Sequence, residues 1–345
     1  MLTRSLAILL AVSCIAPPTL AQTQSAPPVQ ELRIVVGYAA GGGYDAYARV
    51  VARFLGQHLS GRTAIVVQNM PGGDGLTAAN YMAQIAPKDG SVVGLTNRNF
   101  AVAPLLGMVS DGSAKYDPKA FNWVANLNSE VSIFIVRADR GVSSFRDLSA
   151  SSLKLGATGL TANNAMYPNV VGRLLDSRLT VVTGYPGAHH VTLALERGEV
   201  DGIGGYSWST LQAQRPEWIQ NGFVVPILQI GATTIPELGS VPSIMALARS
   251  EEERKALELI VAPEKMGRPF FLPPNTAPDV VAKTRDAFSA LSRDKAFQAA
   301  AMKSGLEITF MDGRAVQEYV EHLNSAPPEV VTLAKQLLAS TTSTP

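Results

Sequence analysis

The sequence predicts an α/β protein of two lobes with a ligand cleft between them. Three observations carry that expectation. Short apolar runs alternate with helical stretches along most of the 345 residues, the pattern of sheets covered by helices. A βαβαβ set over 32–96 is echoed by another over 153–203. Beyond an N-terminal leader, roughly 320 residues are more than one ordinary core holds and suit two.

The leader reads as a secretory signal. Arg4 is its only charge, residues 6–15 are mostly apolar, and Thr19-Leu20-Ala21 is a small-residue cleavage pattern. Neither this stretch nor any later one is long enough to span a bilayer. Residues 1–21 are expected to be a signal peptide and 22–30 a flexible linker containing Pro and Gln. Cys14, the only cysteine, leaves open a lipid anchor in a poor lipobox, Ala11-Val12-Ser13-Cys14. Cleavage after Ala21 instead leaves a mature chain without cysteine, which excludes disulfides and thiol chemistry. Losing Arg4 from 29 basic residues leaves 28, against 28 acidic. Such balance offers no basic stripe for nucleic acid and no polybasic patch for a membrane.

Strands are expected at 32–36, 64–68, 92–96, 123–127, 132–136, 153–157, 179–183, 200–203 and 224–230. Helices are expected at 45–59, 75–85, 162–176, 188–197 and 251–261. The alternation argues for parallel sheets. Later, Val281, Thr284, Phe288 and Leu291 form a stripe at helical spacing, Pro278 suits a helix start, and Pro327-Pro328 opens another helix. The expected division is a first lobe at 31–130 and 233–345 and a second at 131–232, joined by hinge strands near 131–137 and 223–231. Each lobe then faces the cleft with its strand-to-helix loops, where open α/β sheets bind ligands.

Residues 34–49 hold the strongest functional signal. An apolar run ends in Gly41-Gly42-Gly43, and a helix opens near Asp45. Glycines let backbone N–H groups point outward without Cβ obstruction. A helix start adds unpaired amides and the positive end of its dipole. Together they suit a carboxylate or phosphate. The plainer reading is a tight turn with Asp45 as a helix cap or first-turn acid.

From Leu32 onward the chain resembles the periplasmic solute-binding proteins of tripartite tricarboxylate transporters, the Bug family. The stretch Ala40-Gly41-Gly42-Gly43-Tyr44-Asp45-Ala46-Tyr47-Ala48-Arg49 stands for that family's proline-glycine-glycine turn, Asp and Ala-Arg. Asn69-Met70-Pro71-Gly72-Gly73-Asp74-Gly75 matches an Asn-x-Pro-Gly-x-Gly-Gly stretch, and Ala86-Pro87-Lys88-Asp89-Gly90 an Ala-Pro-x-Asp-Gly. Residues 142–148 resemble the helix that opens the second domain, Gly198-Glu199-Val200-Asp201 a Gly-x-Val-Asp, and residues 272–278 a Pro-x-x-Thr-Pro helix start. There are departures: Ala39-Ala40 replaces prolines, Pro186 replaces a lysine in Tyr185-Pro186-Gly187, and residues 158–164 replace a Ser- and Gly-rich loop. These departures lie where a ligand should sit. The resemblance implies a two-lobed, type II-like periplasmic binding protein whose glycine-loop amides grip a ligand carboxylate.

The candidate ligand-binding residues follow from that cleft. In the first lobe they are Tyr38, Gly41, Gly42, Gly43 and Tyr44, with Gly73, Asp74 and Gly75 in a second loop and Asn97 and Arg98 after the third strand. Arg98 either pairs with a distal carboxylate or is a solvated surface arginine. In the second lobe they are Thr158, Thr161, Asn163 and Asn164, which orient a second polar group or simply cap a helix. Tyr185 and Gly187 occupy the next loop. Tyr206 and Ser207, beside Trp208, wall an apolar solute or pack in the core.

Catalytic and metal readings are weaker. Adjacent His189 and His190 point to different helix faces, and no ligand beyond Glu196 is spaced to help. Gly205-Tyr206-Ser207-Trp208-Ser209 ends in Ser209 where a nucleophile elbow needs glycine. Gly41-x-Gly43-x-x-Ala46 satisfies a dinucleotide fingerprint, but Asn69 stands where its acidic residue belongs. An exported enzyme with a dinucleotide-like loop is the alternative. The expected protein is a periplasmic, monomeric solute-binding protein without cofactor or metal. It takes an organic acid or related solute to transporter subunits or a sensor.

Overall fold

A computed structural model describes residues 31–59, 64–110 and 112–339. The expected signal peptide, linker and Cys14 lie outside the described residues. The chain opens with β1 (Glu31–Val36), α1 (Gly43–Phe54), β2 (Ala64–Asn69), α2 (Leu76–Gln84) and β3 (Val92–Leu95). β4 (Asn122–Asn126) follows, and then residues 127–131 carry the chain to the second sheet. There lie β5 (Ser132–Arg137), β6 (Ser152–Gly156), α3 (Asn163–Leu175), β7 (Arg178–Val182), α4 (Ala188–Glu196) and β8 (Gly202–Ser207). α5 (Trp208–Gln214), α6 (Glu217–Gln220) and β9 (Val224–Ile230) complete that part. The return runs through α7 (Glu251–Val261), β10 (Pro269–Leu272), α8 (Pro278–Arg293), α9 (Lys295–Lys303), β11 (Met311–Asp312), α10 (Gly313–Leu323) and α11 (Pro328–Leu338).

The first sheet has strand order β11-β4-β10-β3-β1-β2, the second β7-β6-β8-β5-β9. Both are mixed, which corrects the expectation of parallel sheets. β1 runs parallel to β2 and β3, and β6 to β7 and β8, as βαβ crossovers require. But β10 is antiparallel to β3 and β4, and β5 is antiparallel to β8 and β9. β5 enters straight from the crossing and β10 on the return, without the strand–helix–strand step that sets a parallel direction. Apolar periodicity reports that a strand exists, not which way it runs.

One apolar cluster holds Val35, Trp123 and Phe271 of the first sheet, Phe134 and Leu155 of the second, Leu257 of α7 and Val331 of α11. α11 packs on α7 and on α3, and Arg173 of α3 donates to the Ala339 carbonyl at 3.0 Å. The closing helix therefore straps the second sheet as well as the return segment. Two further clusters cover the other sheet faces, one under α1 and α8, the other under α4 and α5. The result is a two-lobed α/β molecule with its strand-to-helix loops turned toward a shared cleft.

Candidate functional site

Helix α1 starts at Gly43 because Gly42 is extended (φ −87°, ψ 173°), and no side chain caps it. The first intrahelical bond runs from Ala46 N–H to the Gly42 carbonyl, leaving the N–H groups of Gly43, Tyr44 and Asp45 without an acceptor among the described residues. Helix α3 begins alike: Ala162 is extended and gives no side-chain cap, and the N–H groups of Asn163 and Asn164 have no acceptor among the described residues. These two N-termini, from different sheets, border one cavity that is partly open to solvent. Ala188 at the start of α4 and Ser207, the residue before α5, join the same wall.

Of the expected residues, Tyr38, Gly42, Gly43, Tyr44, Asn97 and Arg98 reach this cavity from the first lobe. Thr158, Asn163, Asn164, Tyr206 and Ser207 reach it from the second. Tyr38 and Tyr44 stack at 4.9 Å between ring centroids. Gly73, Asp74, Thr161 and Tyr185 instead line a neighbouring, wider opening that shares Tyr38 and Thr158.

Three expected residues reach neither cavity. The N–H of Gly41 donates to Asp45 Oδ2 at 2.9 Å, so it is spent within its own turn. Gly75 is buried at the start of α2, its N–H on the Gly72 carbonyl and its own carbonyl accepting from Thr96. Gly187 precedes α4 with its Cα side toward Ala39. Asp45 also accepts from Arg49 and Asn69, so it braces the loop. Burial pushes its carboxyl up, but these hydrogen bonds outweigh that and hold it below the usual range.

Arg98 is no surface residue. It is buried and ion-paired with Glu264 at 2.9 Å. Glu264, wholly buried, also accepts from Ser132 at 3.1 Å, from Tyr167 at 2.6 Å, and from Asn163. Burial raises its carboxyl, and the Arg98 charge pulls it back. A second buried pair, Arg268 with Glu130 at 3.2 Å, reaches the same cavity through Arg268. Arg268 also touches the Ser209 and Thr210 hydroxyls at 3.2 Å and stands 4.7 Å from the Tyr44 ring centre. The Nε of each arginine has no partner among the described residues. Sequence reasoning missed Arg268, Glu130 and Glu264. Their one signal was a charge set directly beside apolar strand residues, as in Gly267-Arg268-Pro269-Phe270.

Asp74 is also buried, at φ 56° in the left-handed region. Its Oδ1 accepts from Tyr38 at 3.0 Å and Thr158 at 2.7 Å, and its Oδ2 from Thr161 at 2.9 Å and from Asn97. Burial pushes its carboxyl up to about 6 against those hydrogen bonds. Two of its donors come from the second lobe, so Asp74 ties the lobes together. Gln214 does the same by donating to the Gly41 carbonyl at 2.7 Å.

Comparisons with known proteins agree with this architecture. A family model described as tripartite tricarboxylate transporter family receptor matches residues 47–326. A UPF0065 protein of Cupriavidus necator is 23% identical over 317 residues, 90% of this chain and 88% of that protein. The solved periplasmic binding protein BugD is 20% identical with a TM-score of 0.72, covering 91% of this chain and 99% of its own. MatC of Rhodopseudomonas palustris, solved with bound malate, is 19% identical with a TM-score of 0.68, covering 90% and 99%.

Proposed function

The chain belongs to the family of tripartite tricarboxylate transporter receptors, and on that premise we propose that it captures a small carboxylate-bearing solute in the periplasm. It hands that solute to transporter subunits or a sensor. The observation that carries the carboxylate is the meeting of two uncapped helix N-termini, α1 and α3, on one cavity. Both arginines that line it are neutralised by buried glutamates. Attraction for an anion then rests on backbone amides and helix dipoles, which suit a carboxylate held inside a cleft. MatC was solved with malate, which agrees with this class.

In this reading the first lobe (31–130 and 233–345) meets the carboxylate at Gly42, Gly43 and Tyr44. The second lobe (131–232) closes over it through Asn163 and Asn164, turning about the connections beside β5 and β9. Tyr38, Tyr44 and Tyr206 wall the solute's apolar part. The protein binds without turnover, acts as a monomer, and is exported by residues 1–21.

A thermal-shift screen of the chain from Gln22 against carboxylates and their neutral amides tests this. A solute at a hundred times its dissociation constant should add about 2.7 kcal/mol, a melting shift of roughly 5–11 °C at about 2–4 °C per kcal/mol. Shifts from carboxylates and none from neutral amides are expected. Equal shifts from both, or none from any carboxylate, would sink the proposal.

A further inference from the structure

We propose, resting on the carboxylate reading above, that Asp74 selects which carboxylate the cavity accepts. It turns the wall formed by Tyr38 and Thr158 into a hydrogen-bond acceptor. The far end of the solute must then carry a donor, such as an amide N–H or a hydroxyl, and not a second carboxylate.

This selection follows from a count of protons. An ionised carboxylate only accepts, at about four lone-pair positions. Asp74 receives four donors: the hydroxyls of Tyr38, Thr158 and Thr161, and the amide of Asn97. A hydroxyl has one proton and two lone pairs. Tyr38 and Thr158 both line the cavity, and both spend their single proton on Asp74. What they show the solute is therefore lone pairs. Asn97 is committed as well, its amide to Asp74 and its carbonyl oxygen to the Asn99 N–H at 2.9 Å. A second carboxylate placed there would find no donor from these groups, and would face the Asp74 charge behind one layer of hydroxyls. Groups carrying an N–H or O–H would be satisfied. The amides at the starts of α1 and α3 remain for the first carboxylate.

Asp74 stands between Gly73 and Gly75. Its φ of 56° is a backbone that glycine adopts freely and most residues avoid. The second lobe leaves space for its side chain, since a Cβ on Gly159 would approach Asp74 Cβ to 2.5 Å.

Calorimetric titration with matched pairs tests the proposal. The probes are succinate and succinamate, glutarate and glutaramate, adipate and adipamate, with the three neutral diamides as controls. In the unaltered chain the amide-acid should bind at least tenfold tighter than its matched diacid. In Asp74→Gly, which suits the left-handed backbone, that ratio should fall at least tenfold or invert, because Tyr38 and Thr158 regain free protons. Thr158→Val keeps Asp74 but removes an acceptor, so it should weaken the amide-acid without improving the diacid. Should Asp74→Gly not fold, the unaltered ratio and Thr158→Val decide. A preference of the unaltered chain for diacids overturns the inference, as does an unchanged ratio in folded Asp74→Gly. Diamides binding as tightly as the acids would instead overturn the carboxylate reading itself, and silence from every probe would overturn both.

Discussion

Arg98 shows how far a residue's role can be read without its neighbours. Its place after a strand allowed a ligand-pairing or a solvated arginine. The structure pairs it internally with Glu264, which lies 166 positions away. No local pattern announces such a partner, and Arg268 with Glu130 escaped for the same reason. Breaking one side of a buried pair strands a charge, a loss of about 3–5 kcal/mol. Glu264→Gln should therefore lose stability on that scale in urea unfolding. Asp279→Asn, which breaks the exposed pair with Lys283, should cost far less, because solvent screens that pair. Similar losses for both would contradict the pairing.

Asp74 makes a second prediction at this scale. Its folded pKa of about 6 exceeds the ordinary 3.8, so the native state holds the extra proton between those values. The stability it contributes is full below about pH 4 and is lost as pH rises through 6, by at most about 3 kcal/mol. The donors facing it are Tyr38, Asn97, Thr158 and Thr161. Only Tyr38 among them titrates, and burial raises its pKa well above the usual 10.0. Glu264 is unchanged in Asp74→Gly, so the difference between the two stability curves isolates Asp74. That difference should decline from pH 4 to 6 and then level. A flat difference contradicts the assignment.

At the scale of elements, long periodic segments were legible and short ones were not. β9 and α7 fall at their expected bounds, and β1 to β8 lie within two residues of theirs at most ends. α1 starts two residues early, at Gly43, since extended Gly42 serves as its cap. β10 and β11 were invisible: four residues beginning with proline, and two residues, carry no period. They exist because β3 and β4 supply partners. The α1 terminus gives the sharpest variant. A Cβ on Gly42 meets nothing within 4 Å and points into open space, and its extended backbone accepts valine. Gly42→Val should fold with its melting temperature nearly unchanged yet bind no carboxylate in a thermal-shift assay. A persisting shift would place the anion elsewhere. Gly43→Val acts differently, since its Cβ would approach Thr210 Oγ1 to 2.3 Å and hold the lobes apart.

For the whole molecule, the repeated βαβαβ pattern made two sheets and a cleft legible, while the strap by α11 was not. Its apolar stripe has the same spacing whether it packs on one lobe or bridges two. The interlobe bonds from Asp74, Gln214 and Glu264 likewise join residues far apart in sequence, so they belong to the closed arrangement and not to any motif. They surround the cavity where α1 and α3 meet. The most direct test of that meeting is a crystal structure of the chain with a carboxylate found by the screen. One carboxylate group should lie about 2.7–3.2 Å from the N–H nitrogens of Gly43 or Tyr44 and of Asn163 or Asn164. A carboxylate held only by side chains, or seated in the wider opening beside Gly73 and Tyr185, would contradict the account.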